Sequence, residues 1–178
     1  MIREVPDTQE VYISSRSNDS IIIEILERVP QSDSAEAARS TFCIFPRAWV
    51  KCPHLALTFA FFRYHFEAIA HDNDAVSFSI DDVNEIPIDH NAEIPFIMIL
   101  HGRQGVRKFN RTSVDDVRIS LALYRLEQKG VDLVLSLNFP MTTDRDTVVP
   151  TEEQYDKAKE TFRSIATSLH IVDFGLFA

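Results

Sequence analysis

Apolar and polar residues alternate in several short runs of the chain, which is typical of half-buried β-strands. The alternation predicts a turn and strand within 3–15 and further strands at 75–81, 117–124 and 131–139. A nearly continuous apolar run predicts a central strand at 96–101, with Gly102 and Gly105 marking its end. The runs 117–124 and 131–139 are joined by a short loop that ends in glycine, so they are expected to form a hairpin.

Other segments space their apolar residues by three and four, which predicts helices. One stripe begins after polar capping residues and ends at Pro30; it consists of Ile21, Ile22, Ile25, Leu26 and Val29. A second helix is expected to begin at Thr151, whose hydroxyl and the Gln154 side chain have the spacing of a capping box. The apolar tail 170–178 is expected to pack back on the body of the protein.

This order of elements predicts an α+β fold, in which helices pack against the faces of an antiparallel β-sheet. A length of 178 residues is typical of one domain, so we expect a single domain over 1–178.

The segment 40–63 departs from the rest of the chain. It contains no Asp or Glu, yet it holds both cysteines, the single Trp and 5 of the 13 Phe. Pro46 and Pro53 are expected to break any helix there. If the segment is removed, Ala35 and Ala38 continue into 66–70 with the spacing of one unbroken helix. We therefore predict an atypical insertion at 40–63, either a translated intron or an apolar loop that binds a partner.

Charge and composition exclude several classes of function. With 18 Lys and Arg against 27 Asp and Glu, the net charge of −9 disfavours nucleic acid and suits a basic partner. No apolar run is long enough to span a membrane. The four glycines form neither a P-loop nor a dinucleotide fingerprint, and the His and Cys residues lack zinc-type spacing. We expect no cofactor and a reduced compartment, and a Ser/His/Asp arrangement assembled only in space stays open.

Two acidic clusters are candidates for binding. Asp81, Asp82 and Glu85 follow a predicted strand and are interpreted as a solvated loop. Glu4, Asp7 and Glu10 recur at three-residue intervals around Pro6, so their carboxylates can converge on Lys or Arg side chains of a partner. Turn capping by Asp7 with solvation of the other two explains the same spacing.

Several segments carry a resemblance to a known family. The most specific are the opening Arg3-Glu4-Val5-Pro6-Asp7-Thr8-Gln9-Glu10-Val11 and the ending, 170–173 with Leu176-Phe177; others are 20–26, 64–67, 121–126 and 132–140. In this order they resemble the Ran guanine nucleotide release factor family of nuclear transport. The resemblance spans most of the chain outside 40–63.

The resemblance implies a PsbP-like fold in α/β/α layers, with helices on both faces of the sheet. It also implies a non-enzymatic regulator that binds the small GTPase Ran, nucleotide-free or GTP-bound, promotes release of its guanine nucleotide, holds the nucleotide-free form and so supports nuclear protein import. We expect a monomer in the nucleus and cytoplasm. Acidic residues of the opening motif contribute to Ran binding in the family, and the matching positions are Asp7 and Glu10. Glu4 and Arg3 are lesser candidates.

The chain departs from the family in two places. Family members carry a further strand before the opening motif, whereas only Met1-Ile2 precede Arg3, so we expect that strand to be lacking. The segment 40–63 is the second departure. The alternative function is therefore an interaction scaffold of the same fold that has lost nucleotide-release activity.

Overall fold

The computed structural model describes residues 8–15, 17, 19–27, 53–89, 94, 96–107, 113–141 and 149–177, with 53–60, 176 and 177 described by their backbone alone. These residues form six strands, two α-helices and two short 3₁₀ turns. The strands are β1 (Gln9–Ile13), β2 (Ser20–Glu27), β3 (Ala75–Pro87), β4 (Phe96–Val106), β5 (Asp115–Leu126) and β6 (Val131–Pro140). The helices are α1 (Pro53–Asp72) and α2 (Glu152–Ser168), and the 3₁₀ turns are Glu127–Lys129 and Phe174–Phe177.

The six strands form one sheet in the order β1-β2-β6-β5-β4-β3, and every neighbouring pair is antiparallel. The prediction of an α+β fold with an antiparallel sheet is confirmed. Neither helix of the described residues is long and apolar enough to cross a membrane.

Each helix packs against its own set of strand residues. Successive side chains of a strand point to opposite sides. One hydrophobic core contains Ile97 and Ile99 of β4 together with Phe162 and Ala166 of α2, and we call it the α2-side core. The other core contains Met98 and Leu100 of β4 together with Phe61, Phe62 and Phe66 of α1, and we call it the α1-side core.

The predicted hairpin and last helix are confirmed. β5 and β6 pair from Val117 opposite Pro140 to Leu126 opposite Val131, and Gly130 closes the connection with a φ of 65°. Left-handed backbone of this kind favours glycine. Thr151 caps α2, with both hydrogen bonds to Gln154 present.

The prediction that the apolar tail packs back on the body of the protein is confirmed at two residues. Ile171 is buried in the α2-side core, and Phe174 packs against the same core.

The predicted helix over Ile21–Val29 is wrong, because Ser20–Glu27 forms strand β2. β2 lies between β1 and β6, and its apolar side chains pack against both cores: Ile21 and Ile23 against the α2-side core, Leu26 against the α1-side core. An apolar run that packs against two cores lacks the alternation of a half-buried strand and resembles a helix stripe. The β-branched isoleucines favour the strand.

Two strand ends were predicted too early. β3 continues through Asp81, Asp82 and Glu85, which are exposed strand residues and not a loop. β4 continues through Gly102 and Gly105. A Cβ on Gly102 would lie 2.6 Å from the Ser79 carbonyl oxygen and 2.7 Å from Cζ of Phe66. Close packing of α1 against the strand therefore explains this glycine.

Pro53 lies at the first position of a helix, so its predicted helix-breaking role is not contradicted, but the helix that follows it within 40–63 was not predicted. α1 begins at Pro53 and runs through Arg63 and Tyr64 without interruption. Proline is compatible with the first turn of a helix because those N–H groups have no intrahelical acceptor. Phe61 and Phe62, at the end of the segment 40–63, are 1% and 0% exposed. The predicted insertion as a whole stays a prediction, since 40–52 lies outside the described residues.

Candidate functional site

The predicted binding residue Glu10 lies on β1, at one edge of the described sheet. Glu10 is opposite Ile23 and Tyr12 is opposite Ile21 on β2. Side chains of directly opposite residues share a face of the sheet. Because Ile21 and Ile23 pack against the α2-side core, Glu10 and Tyr12 project on the α2 side.

The Glu10 carboxylate is exposed to solvent. The Tyr12 hydroxyl donates to Glu10 Oε2 over 3.4 Å, and a carboxylate has further acceptor positions besides this one. Such a carboxylate can accept charge-assisted hydrogen bonds from Lys or Arg of a partner. Arg3, Glu4 and Asp7 lie outside the described residues, so their convergence with Glu10 stays a prediction.

A groove of about 1060 Å³ opens beside Tyr12, between the edge of the sheet and α2. Its lining includes Tyr12, Ile13, Ile21, Phe139, Lys157 and Phe162. The candidate surface therefore combines an exposed carboxylate with an adjoining concave region that is partly apolar. We call Glu10, Tyr12, Ile13 and the groove the β1 surface.

A second polar site lies under α1 and escaped the sequence analysis. Asp132 of β6 is 0% exposed. Arg125 donates from Nε to its Oδ1 and from Nη2 to its Oδ2, each over 3.0 Å, and His65 Nε2 lies 3.4 Å from Oδ2. The Arg125 guanidinium carbon lies 3.6 Å from the centre of the Phe61 ring. These residues form the α1-side network.

Burial raises the pKa of Asp132, but the hydrogen bonds from His65 and Arg125 outweigh it, so the pKa lies below its ordinary value. The carboxylate is ionised and its charge is compensated within the network. A signal for the pair existed in the sequence, since Arg125 and Asp132 are directly opposite in the predicted hairpin. No such signal pointed to His65.

A third cluster includes a serine and a histidine on neighbouring strands. His101 Nδ1 lies 2.8 Å from Ser120 Oγ, and Asp82 is opposite His101 on β3. Burial lowers the pKa of His101, against the opposing effect of Asp82. Ser120 is 0% exposed, so this Ser/His/Asp arrangement offers no solvent-accessible nucleophile.

Within the described ranges, no group of three or more His, Cys, Asp or Glu is placed to hold a metal ion. Cys43 and Cys52 lie outside those ranges. Of the predicted binding residues, Glu10 is the one that the structure describes. Its exposed carboxylate is suited to bind a cationic group.

Comparison with known families matches this chain to the model described as "Ran-interacting Mog1 protein", over residues 1–46 and 56–140. The chain belongs to this family. The match contains the opening motif and Glu10, and it includes α1 residues 61–66 and strands β2 to β6. Residues 47–55 and 141–178 lie outside the match. The first of these stretches falls inside the predicted insertion 40–63, whose other residues the match includes.

Curated relatives carry names consistent with this family. The Ran guanine nucleotide release factor of Danio rerio is 28% identical, with 99% of this chain and 87% of the relative covered. The nuclear import protein MOG1 of Saccharomyces cerevisiae is 27% identical over 99% of this chain and 74% of its own. The Homo sapiens Ran guanine nucleotide release factor is 27% identical over 99% and 84%.

A solved structure supports the fold. The crystal structure of the Saccharomyces cerevisiae Ran-binding protein Mog1p aligns with a TM-score of 0.57 at 24% identity, covering 99% of this chain and 86% of that one. The fold of this chain is therefore similar to a known architecture.

Proposed function

We propose that this protein binds the small GTPase Ran, promotes release of its guanine nucleotide and thereby supports nuclear protein import. The proposal assigns a binding role and no catalysis. Its main support is the exposed Glu10 carboxylate on the edge strand β1, within a segment that the family match includes. The names of the relatives point to the same partner and process.

The chemistry of nucleotide binding suggests how a carboxylate promotes release. A small GTPase holds its nucleotide largely through a P-loop Lys, backbone N–H groups and Mg²⁺. A carboxylate brought near that site competes for the Lys and disfavours the phosphates and the metal. By linkage, a partner that prefers nucleotide-free Ran weakens the affinity of Ran for nucleotide by the same factor. In this proposal Glu10 contacts Ran, with Asp7 as a second acidic contact and Glu4 and Arg3 at its margin.

The substitution Glu10→Lys tests the proposal. It replaces the acceptor with a positive charge, so we expect release of a fluorescent guanine nucleotide from Ran to slow at least about 10-fold, as losses of close interfacial charge pairs do. Glu85→Lys is the matched control, since Glu85 is exposed on β3 at the opposite edge. Its release rate should equal that of the wild type. Circular dichroism checks that both variants fold.

A release rate unchanged by Glu10→Lys would overturn the assignment of this residue. A pull-down with Ran, with and without nucleotide, tests the function as a whole. Preference for nucleotide-free Ran supports release-factor activity, while equal capture or none favours an interaction scaffold that has lost this activity.

The remaining parts of the proposal concern the surroundings of the protein. We propose a monomer that works in the nucleus and cytoplasm, without nucleic acid or membrane as partners. The net charge of −9 supports a basic protein surface as the partner. Light scattering of the purified protein measures whether it is a monomer. Imaging of a fluorescent fusion measures its distribution between nucleus and cytoplasm.

We also propose that the fold is PsbP-like, with helices on both faces in α/β/α layers. The division of β4 between two cores, one with α1 and one with α2, supports this layering.

A further inference from the structure

Among the described residues, the backbone of β1 is paired on one side only, with β2. Ile25 N donates to Thr8 O over 2.9 Å, and Ser14 N donates to Asp19 O over 3.0 Å. Hydrogen-bonded and non-hydrogen-bonded pairs alternate along an antiparallel ladder. Even-numbered residues of β1 therefore bond to β2, while the odd-numbered residues point their N–H and C=O groups away from it. The outward residues are Gln9, Val11 and Ile13.

Exposed apolar side chains accompany these outward backbone groups. Ile13 is 75% exposed, Tyr12 56% and Val11 37%. They lie next to the exposed Glu10 carboxylate, and Tyr12 and Ile13 also line the groove. An exposed edge with apolar side chains is a template for pairing with another chain.

The opposite edge of the sheet is protected in ways that β1 is not. β3 pairs with β4 through two register irregularities, between Ala75 and Ser77 and between Ile80 and Asp82. It also carries exposed carboxylates in the strand. Bulges and charges are the features that prevent a strand edge from pairing. The five residues of β1 pair with β2 in continuous register and carry a single charge.

We propose that β1 is a docking strand: an extended segment of Ran adds to the sheet beside it and bonds to the outward groups of Gln9, Val11 and Ile13. This proposal rests on the proposed function and specifies how the partner engages the same surface. Main-chain bonds supply affinity in this mode of recognition, and alternate side chains supply specificity.

The charges and apolar side chains of β1 define the segment that fits. On the α2 side, one partner residue lies beside Glu10 and another, two positions away, lies beside Tyr12 at the mouth of the groove. Complementarity requires Lys or Arg at the first position and an apolar or aromatic residue at the second. On the other side, apolar residues cover Val11 and Ile13.

The substitution Val11→Pro tests the docking strand. It removes one outward N–H, and proline is tolerated in an edge strand where that group faces solvent. We expect affinity for nucleotide-free Ran to fall about 3- to 10-fold by titration calorimetry, the effect of one lost hydrogen bond. Val76→Pro is the control, because Val76 is 50% exposed at a register irregularity of β3 on the opposite edge, where proline is also tolerated. Its affinity should stay within about 2-fold of the wild type.

Amide exchange measured by NMR on the wild-type protein tests the proposal without any substitution. The amides of Val11 and Ile13 should exchange rapidly in the free protein and become protected in the complex with nucleotide-free Ran. The amides of Glu10 and Tyr12 should be protected in both.

The outcomes separate the two proposals. If wild-type protein does not bind Ran, the proposed function fails. If it binds and Glu10→Lys weakens binding, but Val11 and Ile13 gain no protection and Val11→Pro binds normally, the docking strand is overturned while the function stands. If Val11→Pro does not fold, protection of the wild-type amides decides.

Discussion

The α1-side network and the β1 surface both come from segments that carry the family resemblance, yet they use their charges in opposite ways. In the network, Asp132 is fully buried and each of its oxygens accepts a hydrogen bond from Arg125. On the β1 surface, Glu10 faces solvent with one long hydrogen bond from Tyr12. A compensated buried charge holds the fold together, whereas an exposed carboxylate is available to a partner.

This difference shows that a segment shared with a family can serve either the fold or the binding of a partner. His65, Arg125 and Asp132 come from three separate segments of the resemblance, and α1, β5 and β6 bring them together. Similarity in those segments preserves an internal contact and says little about a partner. Similarity around Glu10 has no such internal explanation among the described residues, which is why we assign the partner to that surface.

Breaking the network should have the largest effect on stability. Asp132→Ala leaves Arg125 and His65 without their buried acceptor, so we expect the free energy of unfolding to fall by about 3–5 kcal/mol, as on breaking a buried ion pair. Urea denaturation followed by circular dichroism measures it. The exposed pair of Asp81 and Arg103 provides the control, and Asp81→Asn should cost less than about 1 kcal/mol. Equal effects of the two variants would refute the distinction between buried and exposed charges.

Phe62, which lies in the segment 40–63, tests whether a buried side chain contributes more to stability than an exposed one. Phe62 is 0% exposed in the α1-side core, so Phe62→Ala should lower the free energy of unfolding by about 3 kcal/mol. This is the low end for such a truncation, because neighbouring Phe61 and Phe66 can partly close the cavity. Phe78→Ala, at a residue 45% exposed, should cost about half as much. A Phe62→Ala variant as stable as the wild type would exclude this segment from the core.

The sequence predicted those elements in which local pattern and tertiary packing agree. Alternation together with Gly130 sufficed for the hairpin of β5 and β6, and Thr151 with Gln154 sufficed for the start of α2. Both depend on residues close in sequence. The edge position of β1 relative to β2 is a long-range property that local pattern does not contain.

The errors occurred where packing between distant segments decides the structure. Ile21–Ile23 form a strand because β1 and β6 flank them, and Gly102 lies inside a strand because Phe66 occupies the space of its Cβ. The candidate site shows the same division. Glu10 was found through the resemblance, while the network needs the fold to bring His65 to Asp132.

Glu24 lies between the two regions and gives the smallest expected effect. It is on β2, opposite Gln9 of β1 and Val134 of β6. Burial raises its pKa above the ordinary value of 4.5; the charge of Asp72 adds to this and that of His65 opposes it. The surroundings of Glu24 in the folded protein therefore favour the protonated form of the carboxyl.

Glu24→Gln removes this unfavourable charge, so we expect the free energy of unfolding at pH 7 to rise by less than about 1 kcal/mol. The sign follows from linkage, since a carboxyl whose folded pKa is raised destabilises the fold above that pKa and not below its unfolded value. The difference between variant and wild type should therefore shrink as the pH falls and vanish below about pH 4. Denaturation at a series of pH values measures it. Asp132 has the opposite shift, so its contribution is lost in acid; a stabilisation by Glu24→Gln that persisted at low pH would mean that the charge of Glu24 is not its cause.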